Sequence, residues 1–131
     1  MGDKNPVQAA KTTFDILNEI VERGEASVND ISESLGIAQS TTHNYLKTLA
    51  QNGYLINEDG RYRIGLRFLV YGEQARNQWQ VYETAKPELK NLAVETGDFV
   101  NLLVEENGHG FYIYRTKGDR TATSHQYIGG H

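Results

Sequence analysis

Between Val28 and Ile64 the chain reads VNDISESLGIAQSTTHNYLKTLAQNGYLINEDGRYRI. Two short amphipathic segments are parted by Gly36, and a small hairpin follows. Ser27 and Asp30 stand three apart at the head of the first segment, the spacing of a capping box. Val28, Ile31 and Leu35 give that segment one apolar face, and Gly36 supplies a left-handed stop. In the second segment, which starts near Gln39, Thr42, Tyr45, Leu46 and Leu49 recur at helical spacing and predict a core-facing stripe. The opposite face offers only polar side chains: Gln39, Ser40, His43, Asn44 and Lys47. Gly53 closes the helix, and strands over 54–57 and 61–64 flank a tight Glu58-Asp59-Gly60 turn. Alternation turns Leu55, Tyr62 and Ile64 inward and sends Arg61 and Arg63 outward together. The expected unit is a winged helix-turn-helix.

The flanks extend this reading. Residues 1–8 have no periodicity and are expected to form a flexible arm. Ala10, Phe14, Leu17, Ile20 and Val21 predict the core face of a first helix that ends at Gly24. Beyond the wing, Phe68, Gly72, Ala75, Trp79 and Tyr82 are spaced 4, 3, 4 and 3, a heptad-like seam in which large aromatics ask for a cover. A helix over 84–96 follows, with Pro87 expected in its first turn. The remainder reads as β-rich, with strands over 99–105, 111–115 and 121–128 and a turn at 107–110. The fold class is therefore α+β. It comprises an arm (1–8), a winged helix-turn-helix (9–65), linker and connecting helices (66–97) and an incomplete antiparallel sheet (98–131).

Composition narrows the function. The 131 residues include no cysteine, which removes disulfides, thiolate metal sites and cysteine nucleophiles. No apolar run is long enough for a membrane span, and the first residues lack the apolar core of an export signal, so a cytoplasmic protein is expected. His43, His109, His125 and His131 show no close ligand spacing, so no metal is expected. No nucleophile–base pair and no phosphate-cradling glycine loop appears, so neither an enzyme nor a cofactor is expected. The net charge of −4 works against a DNA binder, because phosphate neutralisation supplies most non-specific affinity. Residues 1–64 hold 6 Lys/Arg against 9 Asp/Glu, and residues 65–131 hold 7 against 8. Placement offsets the sum: Lys47, Arg61, Arg63 and Arg67 fall at or near the expected DNA face.

Three blocks of the chain resemble the IclR family of transcriptional regulators. The first is Gly36-Ile37, Ser40-Thr41 and Leu46 to Leu49; the second is Gly60-Arg61-Tyr62-Arg63-Ile64-Gly65. The third runs through Ala85, Pro87, Leu89, Leu92-Ala93, Thr96-Gly97 and Val100-Asn101-Leu102. The resemblance implies a DNA-binding winged helix, a linker helix and an effector-binding domain that is only begun here, so a piece of a longer regulator is expected. It also implies a homodimer on a palindromic double-stranded operator, with a small-molecule effector only where the effector domain is complete. Asn44 stands where the family often has arginine, and Asn prefers adenine where Arg prefers guanine.

The DNA-contact candidates are thus Gln39, Ser40, Thr41, His43, Asn44 and Lys47 on the helix and Arg61 and Arg63 on the wing. The dimer-interface candidates are Phe68, Gly72, Ala75, Trp79 and Tyr82. The rival expectation is a winged-helix protein-interaction or dimerisation module without specific DNA binding, which the acidic balance favours.

Overall fold

The computed structural model describes residues 6–97 and 100–116, within which five helices and two hairpins follow one another. They fall into two compact units that divide between Tyr71 and Gly72.

The first unit is built on α1 (Gln8–Arg23), α2 (Val28–Leu35), α3 (Gln39–Gln51) and the hairpin β1 (Leu55–Glu58) with β2 (Arg61–Ile64). Its core is Ile16, Leu17, Ile20, Ala26, Ile31, Leu46, Leu55 and Tyr62, so each of these elements contributes at least one buried side chain. The expected capping box on α2 forms in full. Ser27 Oγ accepts from the Asp30 N–H at 3.1 Å, and Asp30 Oδ2 accepts from the Ser27 N–H at 3.0 Å. Gly36 ends the helix in the left-handed region, at φ 70°. The hairpin pairs Leu55 with Ile64 and Glu58 with Arg61 in antiparallel register. Asp59 and Gly60 both take positive φ, 54° and 85°, the geometry of a two-residue turn that matches strand twist. Ala26 adds a backbone bridge to Tyr62, which ties the wing to the α1–α2 connection.

On α1 the buried face differs from expectation. Ile16 is fully buried, whereas Phe14 is 62% and Val21 44% exposed. The helix carries apolar residues on two stripes. At 100° per residue, Ile16 and Ile20 share one, Ala10, Phe14 and Val21 share the other, and Leu17 lies between them. Periodicity alone does not say which stripe the rest of the unit covers.

The wing exit is a close backbone approach. The Gly65 N–H donates to the Tyr54 carbonyl at 2.9 Å. A Cβ at Gly65 would lie 2.6 Å from the Gly53 carbonyl oxygen, inside any real contact distance. Helix α4 (Phe68–Asn77) begins three residues later.

The second unit contains α5 (Gln80–Thr96) and the hairpin β3 (Val100–Glu106) with β4 (His109–Thr116). Asn107 and Gly108 form its turn with φ 55° and 82°. The helix packs against both strands. Tyr82 and Ala93 from α5 and Ile113 from β4 are its buried apolar residues among those described.

Two expectations change here. Pro87 lies inside α5 rather than in its first turn, because the helix starts at Gln80. Burial of Tyr82 brings the preceding turn into the helix. The hydrogen bond Pro87 cannot make would have gone to Glu83, and both positions are exposed, so water can satisfy the freed carbonyl. The aromatic seam does not lie on one helix either. Chain geometry breaks at Gln78-Trp79, and Trp79 is extended at φ −89°, ψ 107°. The strand expected over 121–128 lies outside the described residues.

Candidate nucleic-acid interface

Helix α3 separates its two faces cleanly. Thr42 and Leu46 are fully buried, and Tyr45 and Leu49 pack against the same core. Gln39, Ser40, Thr41, His43, Asn44 and Lys47 are all exposed. Helical rotation places Ser40, His43, Asn44 and Lys47 on one strip, the offsets of a single outward face. Thr42 belongs to the other side, and its hydroxyl is spent on the Ala38 carbonyl at 2.9 Å.

The start of α3 suits an anion. Ala38 is its N-cap and offers no side-chain acceptor. The first helical N–H groups, those of Gln39, Ser40 and Thr41, have no acceptor within the helix, and the dipole adds partial positive charge there. The first intrahelical bond is the Thr42 N–H to the Ala38 carbonyl at 2.9 Å. Gln39 is held from the side: its Nε2 donates to Asn29 Oδ1 on α2 at 2.6 Å. Asn29 Nδ2 in turn donates to Glu33 Oε2 at 3.3 Å. The sequence reading missed Asn29 and Glu33. Their i,i+4 spacing on an exposed helix face marks them as a pair, but nothing local points from them to Gln39, ten residues from Asn29.

The wing arginines are both engaged. Arg61 Nε lies 3.1 Å from Glu25 Oε1 and its Nη1 lies 3.6 Å from Asp30 Oδ2. Arg63 Nε lies 3.2 Å from Glu58 Oε1. The carboxylate partners are all at least partly solvent-exposed, so these pairs are weak. Lys47 forms no ion pair among the described residues. The Ser27 backbone N–H holds the Asp30 carboxyl below the usual carboxylate range, with Arg23 and Arg61 acting in the same direction.

Behind α3, Tyr54, Arg67, Phe68 and Tyr71 form an aromatic cluster. The Tyr54 and Tyr71 hydroxyls are 2.6 Å apart, the Arg67 guanidinium lies over the Tyr54 ring, and Phe68 packs at 5.1 Å from that ring. Hydrogen bonding from Tyr71 and Arg67 lowers the Tyr54 pKa, while the same hydroxyl contact raises that of Tyr71. Phe68, expected at a dimer seam, is partly buried against the core of its own unit. Tyr82 is buried in the second unit, flanked by Arg76 and Lys86 over its ring and by Tyr114. Gly72 and Ala75 are exposed, and Trp79 is half-buried.

A buried stripe on α3, a polar outer strip, an uncapped helix start and a hairpin joined to the α1–α2 connection define a winged helix-turn-helix. Residues 10–56 match the family model for winged helix-turn-helix DNA-binding proteins. The HTH-type transcriptional regulator XynR of Escherichia coli K12 is 31% identical over 125 residues, covering 94% of this chain and 49% of that protein. The transcriptional repressor IclR of the same organism is 29% identical over 101 residues, covering 75% of this chain and 37% of its own length. The crystal structure of the Thermotoga maritima IclR superposes with a TM-score of 0.77 at 26% identity, covering 94% of this chain and 51% of that one. The chain belongs to the IclR family of transcriptional regulators, a family of regulators rather than enzymes. It spans about half the length of XynR, the relative with which it shares 31% identity. No helix among the described residues is long and apolar enough to cross a membrane.

Proposed function

We propose that the chain is the DNA-binding portion of a sequence-specific transcriptional regulator that acts in the cytoplasm on double-stranded operator DNA. One observation carries this reading. The exposed strip Ser40, His43, Asn44 and Lys47 lies on a helix whose opposite face, Thr42 and Leu46, is fully buried. Such a helix is fixed in orientation and offers only polar groups outward, which is what major-groove entry requires. Asn44 pairs with an adenine edge, and His43 and Thr41 reach adjoining bases. Ser40, Lys47 and the free N–H groups at the helix start take phosphates. Arg63 and Arg61 leave their carboxylate partners for the backbone beside the wing.

The regulator works as a homodimer on a palindrome. The support for pairing moves from the aromatic seam to other surfaces. Phe14 and Val21 on α1 and Leu69 and Val70 on α4 are exposed apolar side chains of the first unit. Gly72, Ala75 and Trp79, the other seam candidates, belong to the second unit, where Gly72 and Ala75 are exposed and Trp79 is half-buried. Where the effector-binding domain is complete, a small ligand biases the two DNA-binding heads through α4 and α5.

The test is a fluorescence-anisotropy titration of this chain against DNA from upstream of its own reading frame, from about 50 to 200 mM salt. Specific binding that N44A/K47A abolishes, with circular dichroism unchanged, supports the reading. Absence of specific binding across that range ends it and leaves a protein-interaction module, the reading that the −4 net charge and the engaged wing arginines favour. Pairing is read separately by light scattering, where Phe14→Glu is expected to give a monomer.

A further inference from the structure

The contact between α2 and the first residue of α3 has a polarity that only one arrangement of its groups satisfies. Glu33 Oε2 accepts from Asn29 Nδ2 at 3.3 Å, and Asn29 Oδ1 accepts from Gln39 Nε2 at 2.6 Å. An ionised carboxylate has acceptors only. Glu33 therefore turns the NH2 end of the Asn29 amide toward itself and the carbonyl end toward Gln39. That carbonyl can be met only by an N–H, so the Gln39 amide is oriented in turn. Flipping either amide would set acceptor against acceptor.

Donating the N–H anti to its carbonyl to Asn29 leaves Gln39 with its carbonyl and the N–H beside it. A carbonyl and an N–H side by side on a planar amide match adenine N6 and N7. We propose that Gln39 is a specificity-determining residue that reads an adenine, with Asn29 and Glu33 as positioning residues that fix which way its amide faces. The proposal rests on the reading above that α3 enters a major groove. It also gives Glu33 a role despite its charge. The carboxylate repels nearby phosphates and so weakens binding to any sequence, while it sharpens the choice among sequences.

The experiment selects binding sites from a randomised operator with the full chain and its variants, and measures affinity for non-specific DNA alongside. Q39A is expected to relax the preference for one adenine per half-site by about tenfold or more, with the other positions unchanged. E33Q is expected to relax the same position and to bind non-specific DNA more tightly, a combination that loss of structure would not produce. The double variant N29D/E33Q exchanges the two groups: an amide at position 33 donates to a carboxylate at position 29. That carboxylate again presents a fixed acceptor toward Gln39, and the wild-type net charge is kept. The pair is expected to recover the adenine preference. Unchanged preferences in Q39A and E33Q, with N44A still losing specific binding, overturn this proposal and leave the DNA-binding reading intact. A wild-type chain that selects no sequence overturns both.

Discussion

The two units solve the same problem to different degrees. In the winged helix, three helices and a hairpin bury eight apolar side chains around a common centre, and Ile16, Ile20, Ala26, Ile31 and Leu46 reach zero exposure. In the second unit, α5 lies on one hairpin, and only Tyr82, Ala93 and Ile113 are buried among the described residues. Both hairpins use the same turn, an Asp-Gly or Asn-Gly pair at positive φ. The turn chemistry is therefore not what separates them. The wing is held at a third point, where Ala26 and Tyr62 exchange two backbone hydrogen bonds of 3.0 and 2.8 Å. Among the described residues the second hairpin rests on α5, whereas the wing has a backbone tie in addition to the helices it packs on.

Mutations can break or sharpen this contrast. The largest effect is expected from Leu46→Ala, which empties a fully buried site and should cost the winged helix about 2–5 kcal/mol in a urea titration. Ile113→Ala, at the comparable place in the other unit, should leave the winged-helix transition where it was. A shift of that transition in Ile113→Ala would mean that the two units melt as one. Next come Gly60→Ala and Gly108→Ala, each forcing an L side chain into positive φ, +85° and +82°. Each should cost about 1–2 kcal/mol of strain. Hydrogen exchange is expected to show the anchored wing keeping its strand protection and the β3–β4 hairpin losing much of it.

Ser27→Ala should cost about 1 kcal/mol by removing the α2 cap. The reciprocal half of that cap titrates. The Asp30 carboxyl has its pKa lowered in the fold, first by the Ser27 N–H. Its contribution is present above the ordinary carboxylate pKa and is lost as pH falls through the lowered value. Wild type should therefore lose more stability between neutral and acid pH than Asp30→Asn. Equal pH dependence of the two would show that the bond does not act as described. The smallest effect belongs to Arg63→Ala, whose exposed pair with Glu58 should be worth less than about 1 kcal/mol to the fold.

What could be read in the sequence follows from how far each cause reaches along the chain. Ser27 with Asp30, Gly36, and Asp59-Gly60 act through neighbouring backbone, and all of them sit where their residue types predict. The α3 stripe was legible because the outward strip is wholly polar and the inward one carries Tyr45, Leu46 and Leu49. Helix α1 misled because two of its stripes are apolar and only tertiary packing chooses Ile16 over Phe14. Pro87 misled because the rule for helix starts is local, while Tyr82, five residues earlier, is drawn in by burial. The partners of Arg61 were out of reach, since Glu25 stands 36 residues away in sequence. For the same reason Gln39 was legible as an exposed polar residue, but not as the end of a relay from Glu33.

The close approach at Gly65 has a mechanical meaning. Its backbone lies against the Gly53 carbonyl with no side chain between them, and Gly53 directly follows the C-cap of α3. Side-chain contacts can yield by changing rotamer; two touching main chains cannot. The chain leaving the wing is therefore held to the tail of α3 by main-chain contact, an approach that any residue with a side chain at position 65 would force apart.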